Sequence, residues 1–245
     1  DRLDTNASVL CILLSSAKSI DSRASVAWNT WAHRCNRTLF ACNCQSTLNT
    51  TYDEHMQTID KLFNSNSNST NQRLPILKLD GFQEDYNRMG EKCLRTLRTA
   101  YELYASEHNW FLLADDDTFV FVDNLFRFVR ARDSGRPLTY GYNFRTIIDQ
   151  GYHSGGAGIL FTLESLRRIY HKIVGGQCEV QDTYGDLAIG RCAEAADVQM
   201  GQSVDAKGRE RFHCLAPGDH YFGNLPDWIF PYSSNPVKVA DNCCR

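Results

Sequence analysis

Ser8 to Ser15 reads SVLCILLS, an apolar run of strand length; Ile20, Ala24, Ala27 and Trp31 then recur at helical spacing before Thr38 to Cys42 becomes extended again. This is a β-α-β opening. Working outward, Leu74 to Leu79 reads as a short strand, and Met89, Cys93, Leu97, Ala100, Tyr101 and Tyr104 keep a helical stripe for about four turns. Trp110 to Ala114 follows as a buried strand, Asp123 is placed to cap a helix through Arg130, and Pro137 to Phe144 reads as one strand. Ile159 to Phe161 is a further strand, after which Thr162 caps a helix carrying Leu166, Ile169, Tyr170 and Ile173; a last helix spans about Tyr184 to Ala196. Strands alternating with helices predict an α/β sandwich on a mainly parallel central sheet. Gln45 to Asn71 is rich in Ser, Thr and Asn and reads as a surface loop, and the chain beyond residue 200 reads as loop-rich.

The chain has 245 residues, 42% hydrophobic and 22% charged, enough for a substantial buried core. Twenty-six Lys and Arg against twenty-nine Asp and Glu give a net charge of -3, without the basic excess that nucleic-acid or anionic-membrane binding uses. The longest apolar run, Val9 to Leu14, is far below the roughly 18 residues needed to cross a bilayer. Ten cysteines without paired CxxC motifs, together with Asn-x-Ser/Thr sequons at Asn6, Asn36, Asn49 and Asn68, point to disulfides in an oxidising lumen. No signal peptide is recognisable at Asp1, so a targeting or anchor segment is expected outside this sequence.

Four stretches carry candidate chemistry. Asp115-Asp116-Asp117 lies between Trp110-Phe-Leu-Leu-Ala and Phe119-Val-Phe-Val, so a strand would deliver it to the carboxyl edge of the sheet, where α/β proteins bind ligands. Adjacent carboxylates repel unless a cation compensates, and hard oxygens suit Mg²⁺ or Mn²⁺ bridging to a diphosphate. The bland alternative is a solvated acidic turn. Gly151-Tyr-His-Ser-Gly-Gly-Ala-Gly158 permits close backbone approach to a ligand, yet fits neither a dinucleotide nor a Walker fingerprint and reads equally as a tight turn. In Asp182-Thr-Tyr-Gly-Asp186, Asp182 is placed to cap the following helix and Asp186 to face a cleft as a general base. His213, in Arg211-Phe-His213-Cys214, is by itself more often a surface or core residue than a metal ligand.

Taken together and in order, Val9-Leu-Cys11, Thr30-Trp-Ala-His-Arg-Cys35-Asn, Trp110 to Thr118, Gly151 to Gly158, Gly185-Asp-Leu-Ala-Ile-Gly-Arg-Cys192, Phe212-His213 and Cys243-Cys244 resemble the core 1 β1,3-galactosyltransferases, within the fringe-like β1,3-glycosyltransferases. The resemblance runs from about Val9 to Cys244 and is weakest across residues 43 to 88. It implies a GT-A fold, a single luminal catalytic domain over residues 1–245, and a Golgi location with the anchor outside this chain. It also implies Mn²⁺-dependent, inverting transfer of galactose from UDP-galactose to the 3-hydroxyl of GalNAc α-linked to Ser or Thr of a glycoprotein. By position, Asp115 and Asp117 look like the outer acids of the DxD motif, with Asp116 between them, and His213 would complete the metal site. Asp186 matches the catalytic base, while Tyr152, Ser154, Gly155 and Gly156 would line the donor and acceptor cleft. The resemblance also brings a homodimer into view, and the disulfides Cys11 with Cys35, Cys178 with Cys192, and Cys214 with Cys243 or Cys244.

Cys42, Cys44 and Cys93 fall outside the family pattern. Relatives often have Glu-Asp where this chain has Gly185-Asp186, and a basic residue at Leu113. The alternatives are a fringe-like N-acetylglucosaminyl- or N-acetylgalactosaminyltransferase and a catalytically silent chaperone-like relative; a silent relative is expected to lose the acidic triplet, which this chain keeps.

Overall fold

The computed structural model describes residues 6–44, 74–178 and 183–235. Its framework is a seven-stranded sheet in the order β3-β2-β1-β4-β8-β5-β9. The strands are β1 (Val9–Leu14), β2 (Arg37–Cys42), β3 (Ile76–Lys78), β4 (Trp110–Asp115), β5 (Leu138–Tyr140), β8 (Ile159–Thr162) and β9 (Gln199–Met200). A separate hairpin pairs β6 (Asn143–Phe144) with β7 (Tyr152–His153). The helices are α1 (Ser25–Thr30), α2 (Met89–Tyr104), α3 (Val122–Arg130), α4 (Leu163–Val174), α5 (Gly185–Ala195), α6 (Pro217–Phe222) and α7 (Ile229–Tyr232).

The uninterrupted apolar run of β1 is explained by burial on both faces, as a central parallel strand requires. Leu10, Ile12 and Leu14 pack in the core beneath α2 and α5, whereas Val9, Cys11 and Leu13 pack with Trp28, Trp31 and Phe40 on the opposite face. Each fully buried side chain of this size contributes about 2 kcal/mol of transfer free energy. The expected α/β sandwich is therefore what these residues form. Four of the strand pairings are parallel, and β8 is the exception, antiparallel to both β4 and β5.

Several expectations are refined. The first helical stretch begins as a π-type turn over Ile20–Ala24 before α1. Asp123 is not the cap of α3: Phe121 holds that position, and Asp123 sits in the first turn, where a carboxylate still favours the helix dipole and accepts from Arg34 at 2.8 Å. The predicted strand Pro137 to Phe144 divides at Gly141, where a Cβ would lie 2.8 Å from that of His153. The chain leaves the main sheet there and pairs Asn143 with His153 and Phe144 with Tyr152. Thr162 caps α4 as predicted, its hydroxyl accepting from the Ser165 N–H at 3.0 Å. For α5 the capping position is Tyr184, and Asp182 lies outside the described residues.

Beyond residue 200 the chain is less irregular than its composition suggests. Helices α6 and α7 lie there, and the Tyr142 hydroxyl donates to Ser233 at 2.9 Å, tying this segment to the hairpin. Disulfides join Cys11 to Cys35 and Cys178 to Cys192, as expected, and Cys42 to Cys44, which had no assigned partner. The expected partners of Cys214, Cys243 and Cys244, lie outside the described residues, as do the sequons at Asn49 and Asn68 and the Ser/Thr/Asn-rich loop. Asn6 and Asn36 are exposed. Among the described residues no helix is long and apolar enough to cross a membrane.

Candidate active site

Strands β1 and β4 end in register, Leu14 beside Asp115, so the acidic triplet emerges next to Ser15 at the carboxyl edge of the sheet. The three carboxylates have different surroundings. Asp116 is buried, and its Oδ2 accepts from the Ser15 hydroxyl at 2.7 Å while its N–H donates to the Leu14 carbonyl at 3.2 Å. Asp117 is exposed and accepts from Arg23, on the π-type turn, at 3.2 Å. Asp115 is half-buried; burial first, then the charges of Asp117, Asp116 and Asp186, push its carboxyl up to about 6, against the opposing charge of Lys92.

These acids line a cavity of about 1060 Å³ that also takes in Gly155, Gly156 and Asp186. The Gly155–Ala157 turn follows β7, and Gly158 leads it into β8 with φ +78, a conformation that favours glycine. The Thr118 hydroxyl donates to the Gly156 carbonyl at 3.2 Å, fastening this turn to the residue after the triplet. Asp186 stands in the first turn of α5; its Oδ2 accepts from the Gly155 N–H at 3.3 Å and its Oδ1 from the Leu187 N–H at 2.9 Å.

The remaining predicted residues lie around this cluster without lining the cavity. Tyr152 is buried, and burial together with the Asp186 charge pushes its phenol up to about 12, so it stays protonated. Ser154 is buried and donates its N–H to the Tyr142 carbonyl at 2.9 Å. His213 is exposed and stands edge-on to His220, ring centroids 4.5 Å apart. Among the described residues no three His, Cys, Asp or Glu side chains are grouped closely enough to hold a metal ion.

Comparison with known proteins gives the same direction. No family model matches. The chain is 28% identical to glycoprotein-N-acetylgalactosamine 3-beta-galactosyltransferase 1 of Xenopus laevis over 100% of this chain and 62% of that protein. It is similar to glycosyltransferases. Chondroitin sulfate synthase 3 of Homo sapiens is 30% identical over 49% of this chain and 14% of its own length, and beta-1,3-glucosyltransferase of Mus musculus is 27% identical over 52% and 26%. The chain thus spans less than two thirds of each of these glycosyltransferases.

The cavity also contains side chains that motif reading missed. Lys92 is almost wholly buried; it donates to both Glu84 oxygens, at 2.8 and 3.0 Å, and to the Ser15 carbonyl. Glu84 in turn accepts from the Asn43 N–H at 2.8 Å. Ser15, Asn43 and, through Ser15, Asp116 are thereby joined to one ion pair whose lysine end is buried and whose glutamate end meets solvent. Nothing local announces this: Lys92 flanks the apolar stripe of α2, where a lysine normally reaches solvent. Arg23 likewise looks like an ordinary surface residue in the sequence.

Proposed function

We propose that this chain is an inverting, metal-dependent β1,3-galactosyltransferase, the Golgi-luminal catalytic domain of a longer protein, which transfers galactose from UDP-galactose to the 3-hydroxyl of GalNAc α-linked to Ser or Thr. The observation that supports it best is the gathering of Asp115, Asp117, Gly155, Gly156 and Asp186 around one cavity at the carboxyl edge of the sheet. The similarity of the whole of this chain to part of a glycoprotein-N-acetylgalactosamine 3-beta-galactosyltransferase favours galactose as donor sugar and GalNAc as acceptor.

Asp115 and Asp117 offer the hard carboxylate oxygens that a divalent cation such as Mn²⁺ takes, with no third His, Cys, Asp or Glu grouped with them among the described residues. Burial first, and then the neighbouring carboxylates, raise the Asp115 carboxyl, and a bound cation would relieve that repulsion. Asp115 and Asp117 would hold the ion. His213, which the family resemblance offers as a third ligand, stands beside His220 and outside the cavity lining. Bound there, the cation supplies charge neutralisation for a departing diphosphate.

Inversion is a single displacement, so one base is enough. Asp186 takes the proton from the acceptor O3 as that oxygen bonds to the anomeric carbon, and the electron pair of the breaking bond leaves with UDP. The two N–H groups that Asp186 accepts from hold its carboxylate in one orientation. Tyr152, protonated and near Asp186, packs behind the cavity lining and supports it.

The test is UDP release from UDP-galactose with a GalNAc-α-Thr peptide, with and without Mn²⁺, in wild type, Asp117→Ala and Asp186→Asn. Turnover that needs both the peptide and the metal, and is lost in both variants, is expected. Metal-independent turnover, full activity in either variant, or preference for another donor in a sugar-nucleotide panel would overturn it.

A further inference from the structure

We propose that Cys93 and Gly185 form a size-matched contact that positions Asp186, holding the first turn of α5 at the depth where its carboxylate reaches the Gly155 N–H. This rests on reading Asp186 as the base.

Gly185 is not required by its backbone, because its φ is not among the positive ones. It is required by space. A Cβ there would lie 2.4 Å from the Cys93 sulfur and 3.4 Å from the Met89 carbonyl oxygen. The Met89 oxygen would be in ordinary contact, so the sulfur is the obstacle, and Cys93 is buried in the core with Leu94, Leu97 and Ile189. Interiors this closely packed absorb an added methyl by moving an element. A side chain at 185 therefore pushes the start of α5 away from α2.

Asp186 is the next residue. Its contact with Gly155 is long for a hydrogen bond at 3.3 Å, and a Cβ on Gly155 would already stand 3.6 Å from that of Asp186. A small shift of α5 is thus enough to lose or jam the carboxylate. The thiol serves as packing only: burial, and the charges of Asp115 and Asp186, hold its pKa far above the ordinary range, so it is neither thiolate nor nucleophile. Cys93 and Gly185, noted above as separate departures from the family pattern, are on this view one coupled change.

The experiment is a cycle of Gly185→Ala, Cys93→Ala and the double variant, read by UDP-release kinetics and by crystal structures. In Gly185→Ala, kcat is expected to fall by about 10- to 100-fold with KM for UDP-galactose within about twofold, the signature of a misplaced base. Cys93→Ala is expected to stay within about threefold of wild type. Removing the sulfur makes room for the new methyl, so the double variant recovers most of kcat. The crystal structures should show the Asp186 Oδ2 to Gly155 N distance beyond about 3.6 Å in Gly185→Ala and restored in the double variant. Wild-type kcat in Gly185→Ala, no recovery in the double variant, or an unmoved Asp186 overturns the proposal. If Gly185→Ala is insoluble, a folded double variant supports the contact and an insoluble one refutes it. A wild type that releases no UDP from any sugar nucleotide sinks the galactosyltransferase reading alone, since the crystallographic distances still decide the positioning.

Discussion

Strands β3, β2, β1 and β4 run parallel and end at one edge, whereas β8, β5 and β9 form the other side of the sheet with β8 reversed. The parallel half delivers Ser15, Asn43 and Asp115 to the cavity directly from strand ends, because parallel strands place all their carboxyl ends together. The mixed half delivers nothing that way. It contributes the Gly155–Ala157 turn before β8, and beside it the first turn of α5, both held by contacts between elements. The two halves therefore differ in what a mutation does: in the parallel half, support residues are buried polar groups whose loss costs stability, and in the mixed half they are close contacts whose loss costs geometry.

The largest effects expected are on turnover. Asp186→Asn keeps an acceptor oxygen for only one of the Gly155 and Leu187 N–H groups and removes the base, so kcat should fall about 10²- to 10⁴-fold with only a small loss of thermal stability. Asp117→Ala, at an exposed position, should lose activity with equally little effect on folding. If either substitution instead lowered stability strongly, the division between support and chemistry drawn here would fail.

Next comes the ion pair. Lys92→Met removes the donor to the buried Ser15 carbonyl and leaves the exposed Glu84 carboxylate to water, which should cost about 2 kcal/mol in urea denaturation. Combining it with Glu84→Gln should add little, because that carboxylate is already solvated. A single-variant cost below about 1 kcal/mol would show that water reaches the Ser15 carbonyl and that Ser15 is held by its other contacts.

How much of this was legible follows the same division. The run Val9 to Leu14 and the strand before Asp115 announce themselves because strands buried on both faces must be apolar throughout. Asp115 to Asp117 could be placed at the edge from that fact alone. The break at Gly141 could not, since it arises from His153 passing close by, twelve residues later. Lys92, Glu84 and Arg23 carry no local signal because their role depends on neighbours brought by other elements. The sequence offers Asp116 as one acid of three, and its burial and the Ser15 hydroxyl set it apart, although all three line the cavity. The helices beyond residue 200 are too short for a periodicity to register.

A third prediction concerns Asp115 without divalent cation, in EDTA. Its folded pKa, about 6, lies above the value near 3.9 expected of an unfolded aspartate, so between about pH 4 and 6 the folded state binds more protons. Stability from this group is present below pH 4 and is lost as pH rises through 6. Asp115→Asn removes that loss and should stabilise the protein at pH 7 by roughly 1–3 kcal/mol, discounted for partial exposure, while abolishing turnover. A variant less stable than wild type at pH 7 would mean that the carboxylate is held by contacts stronger than its repulsions.

The smallest effect is expected at the rim of the parallel half. Cys42 and Cys44 are two residues apart, against 24 for Cys11 and Cys35, so closing their loop restricts the unfolded chain much less. Loop-closure entropy gives roughly 1.5 kcal/mol for the short loop and about 3.5 kcal/mol for the long one. Cys42→Ser/Cys44→Ser should therefore lower the unfolding free energy by no more than about half as much as Cys11→Ser/Cys35→Ser. What the short bridge does fix is Asn43 between its two cysteines, and with it the N–H that meets Glu84. Releasing it should raise KM for the sugar nucleotide a few-fold and leave kcat in place, because Asn43 lines the cavity on the far side of β1 from Asp186. A fall in kcat of the size expected for Asp186→Asn would instead tie the two halves of the sheet into one catalytic unit and remove the distinction between them.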